Sequence, residues 1–171
     1  MAIAGKKVLM VVPPEFQDKE YERVRRLLEA QGAKVTVASL YPGQIRGERG
    51  LITKADVAVS DVKYYDYDGL VFVGGEGARK YFYDDEKVLK LAKDAKYKPM
   101  GALSTAVGIF AYAEVLKNKR TTGSRNIIRM VEALGAKYTG EPVCVDDKLV
   151  TAVGPDDAER FANAFAEALA K

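Results

Sequence analysis

The sequence predicts an α/β domain with a mainly parallel sheet and helices on both faces, and three observations carry that reading. Strand-length apolar runs alternate with stretches of helical period along most of the 171 residues. The first run, the helical stretch after it and the next run fit the span of one βαβ unit, which implies two parallel strands joined by a right-handed crossover. The cluster Gly74-Gly75-Glu76-Gly77 follows an apolar run directly, and a doubly wound sheet places its ligand crevice at the carboxyl ends of its strands.

Lys7 to Val12 is continuously apolar after its lysine, as in a strand buried on both faces, and Pro13-Pro14 ends it. Asp18 is then placed to cap a helix with Tyr21, Val24, Leu27 and Leu28 on its inner face, closed by Gly32. Lys34 to Ser39 is the next strand. From Tyr41 to Val62 helical period is lost and three glycines intervene, which predicts an excursion of short strands at an edge. Leu70 to Val73 is a buried strand running into the glycines. Their spacing matches neither a dinucleotide fingerprint nor a P-loop. Val88, Leu91, Ala92 and Ala95 mark a helix before the strand Met100 to Leu103. Ser124 is an N-cap candidate for a helix bearing Ile127, Met130, Val131 and Leu134. Pro142 to Asp146 and Lys148 to Val153 read as a hairpin, and Pro155 opens a terminal helix with Phe161, Phe165 and Leu169 on one face.

The chemistry-bearing stretch is Lys98 to Leu116, where an apolar strand turns at Ser104-Thr105 into a run with Ile109, Phe110 and Ala113 at helical spacing. A nucleophile-capable residue between strand and helix, flanked by the small Ala102 and Ala106, has the layout of a nucleophile elbow, which would hold Ser104 at positive φ. The alternative is that the two hydroxyls only cap the following helix. The stretch carries Ser, Thr and Glu114 and is too short for a membrane span.

Composition narrows the function. The length corresponds to one domain and 48% hydrophobic residues suffice for a core. Met1 to Val12 has Lys6-Lys7 before only a strand-length apolar run, without the pattern of a signal peptide, and a single cysteine fits a reducing compartment, so a cytoplasmic location is expected. The net charge of +3 is spread along the chain without a basic block, which points to neither nucleic acid nor membrane as a partner. The absence of histidine removes the commonest general base and metal ligand together, so no Ser-His or Cys-His pair exists and neither metal nor cofactor is expected. Six amide side chains against 30% charged residues lean towards a thermophilic source.

Three strings in order, VLMVVPPEFQDKEY, YDGLVFVGG and KPMGALSTAVGIFAYAEVLKNKRTT, followed by VCVDDKLVTAVGPDDAERFANAF, resemble the ThiJ/PfpI superfamily, which includes intracellular protease I. The resemblance covers nearly the whole chain. It implies a three-layer, flavodoxin-like sandwich with the active site at the elbow. In active members the elbow residue is a cysteine followed by histidine or alanine, and Ser104 and Thr105 stand there. Protease-like members also carry a glutamate shortly after the double glycine, where this chain has Arg79. By the same resemblance Gly75 and Thr105 offer backbone amides to an oxyanion, with Arg79 and Lys80 beside them. The family acid that contacts the cysteine falls on Glu20 or Glu15, and Gln17 replaces a neighbouring acidic position.

A thiol is partly ionised at neutral pH, whereas an alcohol needs an adjacent base before it attacks. Three functions therefore stand open: a non-catalytic relative that keeps a small-molecule or anion pocket, a weak hydrolase with Ser104 as nucleophile and Glu20 as base, and a structural homo-oligomer. The family resemblance and the tyrosines within Lys63 to Tyr67 and Tyr81 to Tyr83 point to at least a homodimer. Cys144, in a Val-Cys-Val context, is expected to be a buried, inert thiol.

Overall fold

A computed structural model describes residues 2–171. Its seven-stranded sheet contains β1 (Lys7–Val11), β2 (Lys34–Ser39), β5 (Val57–Ala58), β6 (Gly69–Phe72), β7 (Met100–Leu103), β10 (Val143–Asp146) and β11 (Leu149–Ala152). The spatial order is β10-β11-β7-β6-β1-β2-β5, parallel except for the β10–β11 hairpin. Two strands of the excursion, β3 (Gly43–Arg46) and β4 (Ile52–Ala55), pair as a separate antiparallel hairpin. A further two-stranded ribbon joins β8 (Arg120–Thr121) to β9 (Lys137–Tyr138).

Period two explains the layers. Val8 and Met10 of β1, with Val71 and Val73, face a core closed by Val24 and Leu28 of α1 (Asp18–Ala30) and by Phe161, Phe165 and Leu169 of α5 (Ala158–Ala170). Leu9 and Val11, with Leu70 and Phe72, face the opposite core. That side is closed by α2 (Glu86–Asp94), α3 (Val107–Tyr112) and α4 (Ile128–Ala133). The result is the predicted three-layer α/β sandwich. Phe161 and Phe165 stack with centroids 6.2 Å apart beneath β7, and Gly101 makes room because a Cβ there would overlap Phe161. Burying each such ring contributes roughly 1.5–3 kcal/mol. No helix among the described residues is long and apolar enough to cross a membrane.

Two predicted caps differ from those observed. Gln17 rather than Asp18 caps α1, its Oε1 accepting the Glu20 N–H at 2.9 Å. Asp18 is the first helical residue and its carboxylate accepts the N–H groups of Arg49 and Leu51, tying down the turn between β3 and β4. Ser124 makes no side-chain cap; its hydroxyl pairs with Asn126 at 2.6 Å and a 3₁₀ turn, Arg125–Ile127, precedes α4.

Candidate active site

The order reverses at β1, so the crevice for a ligand lies where the loops after β1 and β6 diverge, next to the end of β7. Here those loops are stitched together. The Gln17 N–H donates to the Gly74 carbonyl at 2.9 Å and the Gly77 N–H to the Glu15 carbonyl at 3.2 Å. A Cβ at Gly77 would overlap the Pro14 carbonyl, and one at Gly75, where φ is 114°, would stand 2.6 Å from the Gln17 nitrogen. Glycine is required at both positions by this close approach of two backbones.

Ser104 ends β7 with φ of 49°, a left-handed conformation that costs a serine on the order of 1–3 kcal/mol. Neither it nor Thr105 caps the helix: the turn Ser104–Ala106 is 3₁₀, α3 begins at Val107, and neither start carries a side-chain cap. The capping alternative therefore fails, and the strained elbow is what the chain builds. Ser104 is only 9% exposed. Gly74 lets it approach Glu20, since a Cβ there would overlap Ser104 Oγ and lie 2.9 Å from Glu20 Oε1.

Glu20 sits in the first turn of α1, completely buried. Its Oε1 accepts the Gly74 N–H at 2.9 Å, while Oε2 has no hydrogen-bond partner among the described residues. Burial raises its pKa from the ordinary 4.5 to about 7; the neighbouring Ser104 hydroxyl and the Gly74 N–H oppose the rise, and the Glu48 carboxylate adds to it. Near neutral pH the group is thus divided between acid and carboxylate. The other candidate acid, Glu15, is turned to solvent, where Lys80 at 2.7 Å and Tyr81 at 2.9 Å bind its carboxylate and lower its pKa.

One of the two expected oxyanion donors, the Gly75 N–H, is engaged within the protein rather than facing an open site. The Gly75 N–H donates to Thr105 Oγ1 at 3.0 Å, and that hydroxyl donates to the Gly75 carbonyl at 2.8 Å. A side-chain hydroxyl therefore occupies the amide that the resemblance assigned to an anion. Arg79 is not aimed at the elbow either: it is half exposed and its charge is matched by Glu76 at 2.6 Å. Tyr83, one of the tyrosines expected to serve an interface between copies, donates its hydroxyl to the Thr105 carbonyl at 2.6 Å and fixes the turn from behind. Burial pushes its pKa upward and keeps it a donor. Glycine at position 108 leaves space for that ring. No group of His, Cys, Asp or Glu suited to holding a metal occurs among the described residues.

Comparison with known proteins settles the family. The DJ-1/PfpI family pattern matches residues 6–168. The chain belongs to the DJ-1/PfpI family. It is 32% identical over 170 residues to the uncharacterised protein MJ0967 of Methanocaldococcus jannaschii, covering 96% of this chain and 83% of that one. It is also 32% identical over 160 residues to YraA of Bacillus subtilis, which is named as a candidate cysteine protease, covering 92% and 94%. Among solved DJ-1/PfpI structures, the ThiJ/PfpI domain protein of Brachyspira murdochii superposes with a TM-score of 0.93 at 31% identity, covering 97% of both chains. Drosophila melanogaster DJ-1beta superposes at 0.87 with 24% identity over 98% and 92%, a likeness of fold.

Proposed function

We propose that this protein is a divergent DJ-1/PfpI member in which Ser104 replaces the usual elbow cysteine, and that it binds a small polar molecule at the elbow without cysteine-type peptidase or glyoxalase/deglycase turnover. The observation that carries this reading is the reciprocal pair between Thr105 Oγ1 and the Gly75 amide group. An oxyanion donor typically contributes about 10²–10³ in rate, and here that donor is satisfied by the protein's own hydroxyl. The nucleophile has also lost the thiol that ionises near neutrality. An uncharged polar ligand fits better than an anion, because Glu20 carries a negative charge part of the time near neutral pH and a second negative charge beside it is disfavoured.

A second reading has one observation in its favour. With a pKa of about 7, Glu20 is a competent proton acceptor for Ser104, so slow ester hydrolysis through a Ser104 acyl intermediate is the alternative. Assays with methylglyoxal, peptides and a simple aryl ester, run on the wild type, Ser104→Ala and Ser104→Cys, separate the two. Binding without chemistry predicts no turnover by the wild type and a ligand-induced rise in melting temperature that survives in Ser104→Ala. The hydrolase reading predicts ester turnover that rises with pH around 7 and disappears in Ser104→Ala. Efficient aldehyde or peptide turnover by the wild type sinks the main proposal.

A further inference from the structure

The lysines that are scattered along the sequence converge at the end of the sheet opposite the elbow. A cleft of about 450 Å³ opens beside the amino ends of β7 and β11, and Lys96, Lys98, Lys117, Lys119 and Lys148 line it together with Tyr97. Its apolar lining is Met100, Val115 and Leu149. Three carboxylates also border it, Glu114, Asp146 and Asp147, leaving an excess of two positive charges among these side chains, five lysines against three acids. The acids do not neutralise the lysines. Asp146 Oδ2 accepts the Arg120 N–H at 2.8 Å, Glu114 lies 3.9 Å from Lys93, and none of the five lysines forms an ion pair among the described residues.

Lys80 with Glu15 and Lys90 with Asp94 form close ion pairs elsewhere on the surface, whereas the distinctive feature here is that five lysines gather around one concavity. Five ammonium groups outnumber the three carboxylates around this concavity and leave a net positive field that a compact polyanion relieves. The walls are supplied by three segments brought together by the fold: the α2–β7 connection, the chain leaving α3, and the β10–β11 turn. The backbone at Glu114, Asn118 and Asp147 is left-handed, with φ of 65°, 64° and 56°, so two of these segments bend sharply to present their lysines. Tyr97 stands at the rim with 79% of its surface exposed, an aromatic face beside the cations. Lys96 Nζ lies 5.2 Å from that ring's centroid.

We propose that this cleft binds a polyphosphate chain, either inorganic or attached to a nucleoside whose base packs on Tyr97. A polyphosphate chain carries several negative charges along its length and so accepts from ammonium groups spread around the cleft, whereas a single carboxylate offsets only one of them. The inference rests on none of the elbow residues, so it stands or falls separately from the function proposed there.

Titration calorimetry of the full chain with sodium tripolyphosphate and with a nucleoside triphosphate, both free of divalent cations, tests it. One-to-one binding is expected for the wild type. The dissociation constant for tripolyphosphate should rise at least about tenfold in Lys98→Gln/Lys148→Gln and in Lys117→Gln/Lys119→Gln, because each loses charge-assisted hydrogen bonds. A control, Lys63→Gln/Lys87→Gln, removes the same charge elsewhere and should change it less than about twofold. A nucleotide source is indicated by tighter nucleoside triphosphate binding that Tyr97→Ala reduces to the level of tripolyphosphate; equal affinity for both ligands indicates an inorganic chain. Absence of binding at millimolar ligand overturns the proposal, as does an equal loss in the control variant.

Discussion

The two ends of β7 hold opposite solutions to the placement of polar groups. At its carboxyl end Ser104 and Glu20 are packed under glycines, with Glu20 carrying one satisfied and one unsatisfied carboxylate oxygen. At its amino end the lysines of the cleft are mostly exposed and keep their water. Burial makes charge expensive and geometry exacting at the first end, so its chemistry is set by atoms within hydrogen-bonding distance. Exposure makes charge cheap and geometry loose at the second, so only the summed field matters there. Mutational sensitivity should follow the same division.

The largest effect is expected where backbones touch. Gly74→Ala and Gly77→Ala each force a methyl into the Leu103–Ser104 turn or the Pro14 carbonyl, with no flexible side chain able to give way at the carbonyls. Each should lower stability by about 3 kcal/mol, measured by urea unfolding. Losses below about 1 kcal/mol would show that the elbow is less tightly packed than described.

Next comes the titration of Glu20. Its folded pKa of about 7 lies above the ordinary 4.5, so the folded protein holds the proton more tightly than the unfolded chain. The stabilising contribution is fully present below pH 4.5, is lost as pH rises towards 7, and is level above that, a total on the order of 3 kcal/mol. Glu15 works in the opposite sense, since its lowered pKa gives stability that is lost as pH falls. The difference between wild type and Glu20→Gln isolates the buried group: wild-type stability should decline relative to the variant between pH 5 and roughly 7. A flat difference curve would mean that Glu20 titrates normally.

A smaller effect is expected at Thr105. Thr105→Ala removes the hydroxyl that both accepts from and donates to Gly75, at a cost of about 1–2 kcal/mol. The same change frees the Gly75 N–H, so acetate or formate should stabilise the alanine variant against heat more than the wild type. Thr105→Ser retains the hydroxyl and should behave as the wild type does. An alanine variant indifferent to small anions would remove the self-occupied amide from the account of the site.

The sequence made the elbow legible because a short apolar run, small neighbours and a helical period leave little room for the turn except at Ser104. The sheet was legible for a related reason: Val8, Leu9, Met10 and Val11 have to be covered on both faces. Glu20 could be named but not distinguished from Glu15, because burial depends on which loop folds over which. The cap of α1 was misplaced by one residue, since both Gln17 and Asp18 carry suitable oxygens and only the β3–β4 turn decides which is used. The Thr105–Gly75 pair spans 30 residues and turns on one rotamer, and Tyr83 reaches Thr105 only through the fold. The same reason hid the cleft: its lysines come from three separate segments, and a linear search for a basic block passes over them.

The smallest stability effect should come from those lysines, and its sign distinguishes a functional cluster from a structural one. Lys98→Gln/Lys148→Gln breaks no ion pair, because neither residue forms one among the described residues. The change in stability should therefore stay within about 0.5 kcal/mol. Removing two of five mutually repelling charges should make the variant slightly more stable than the wild type at low ionic strength. That advantage should fade as salt rises towards 1 M, where the screening length shrinks to about 3 Å. Adding tripolyphosphate at low salt should reverse the order, stabilising the wild type above the variant, since ligand binding to the folded state alone raises its apparent stability. A variant that is less stable than the wild type at every salt concentration would mean that the lysines support the fold, and the contrast between the two ends of β7 would lose its basis.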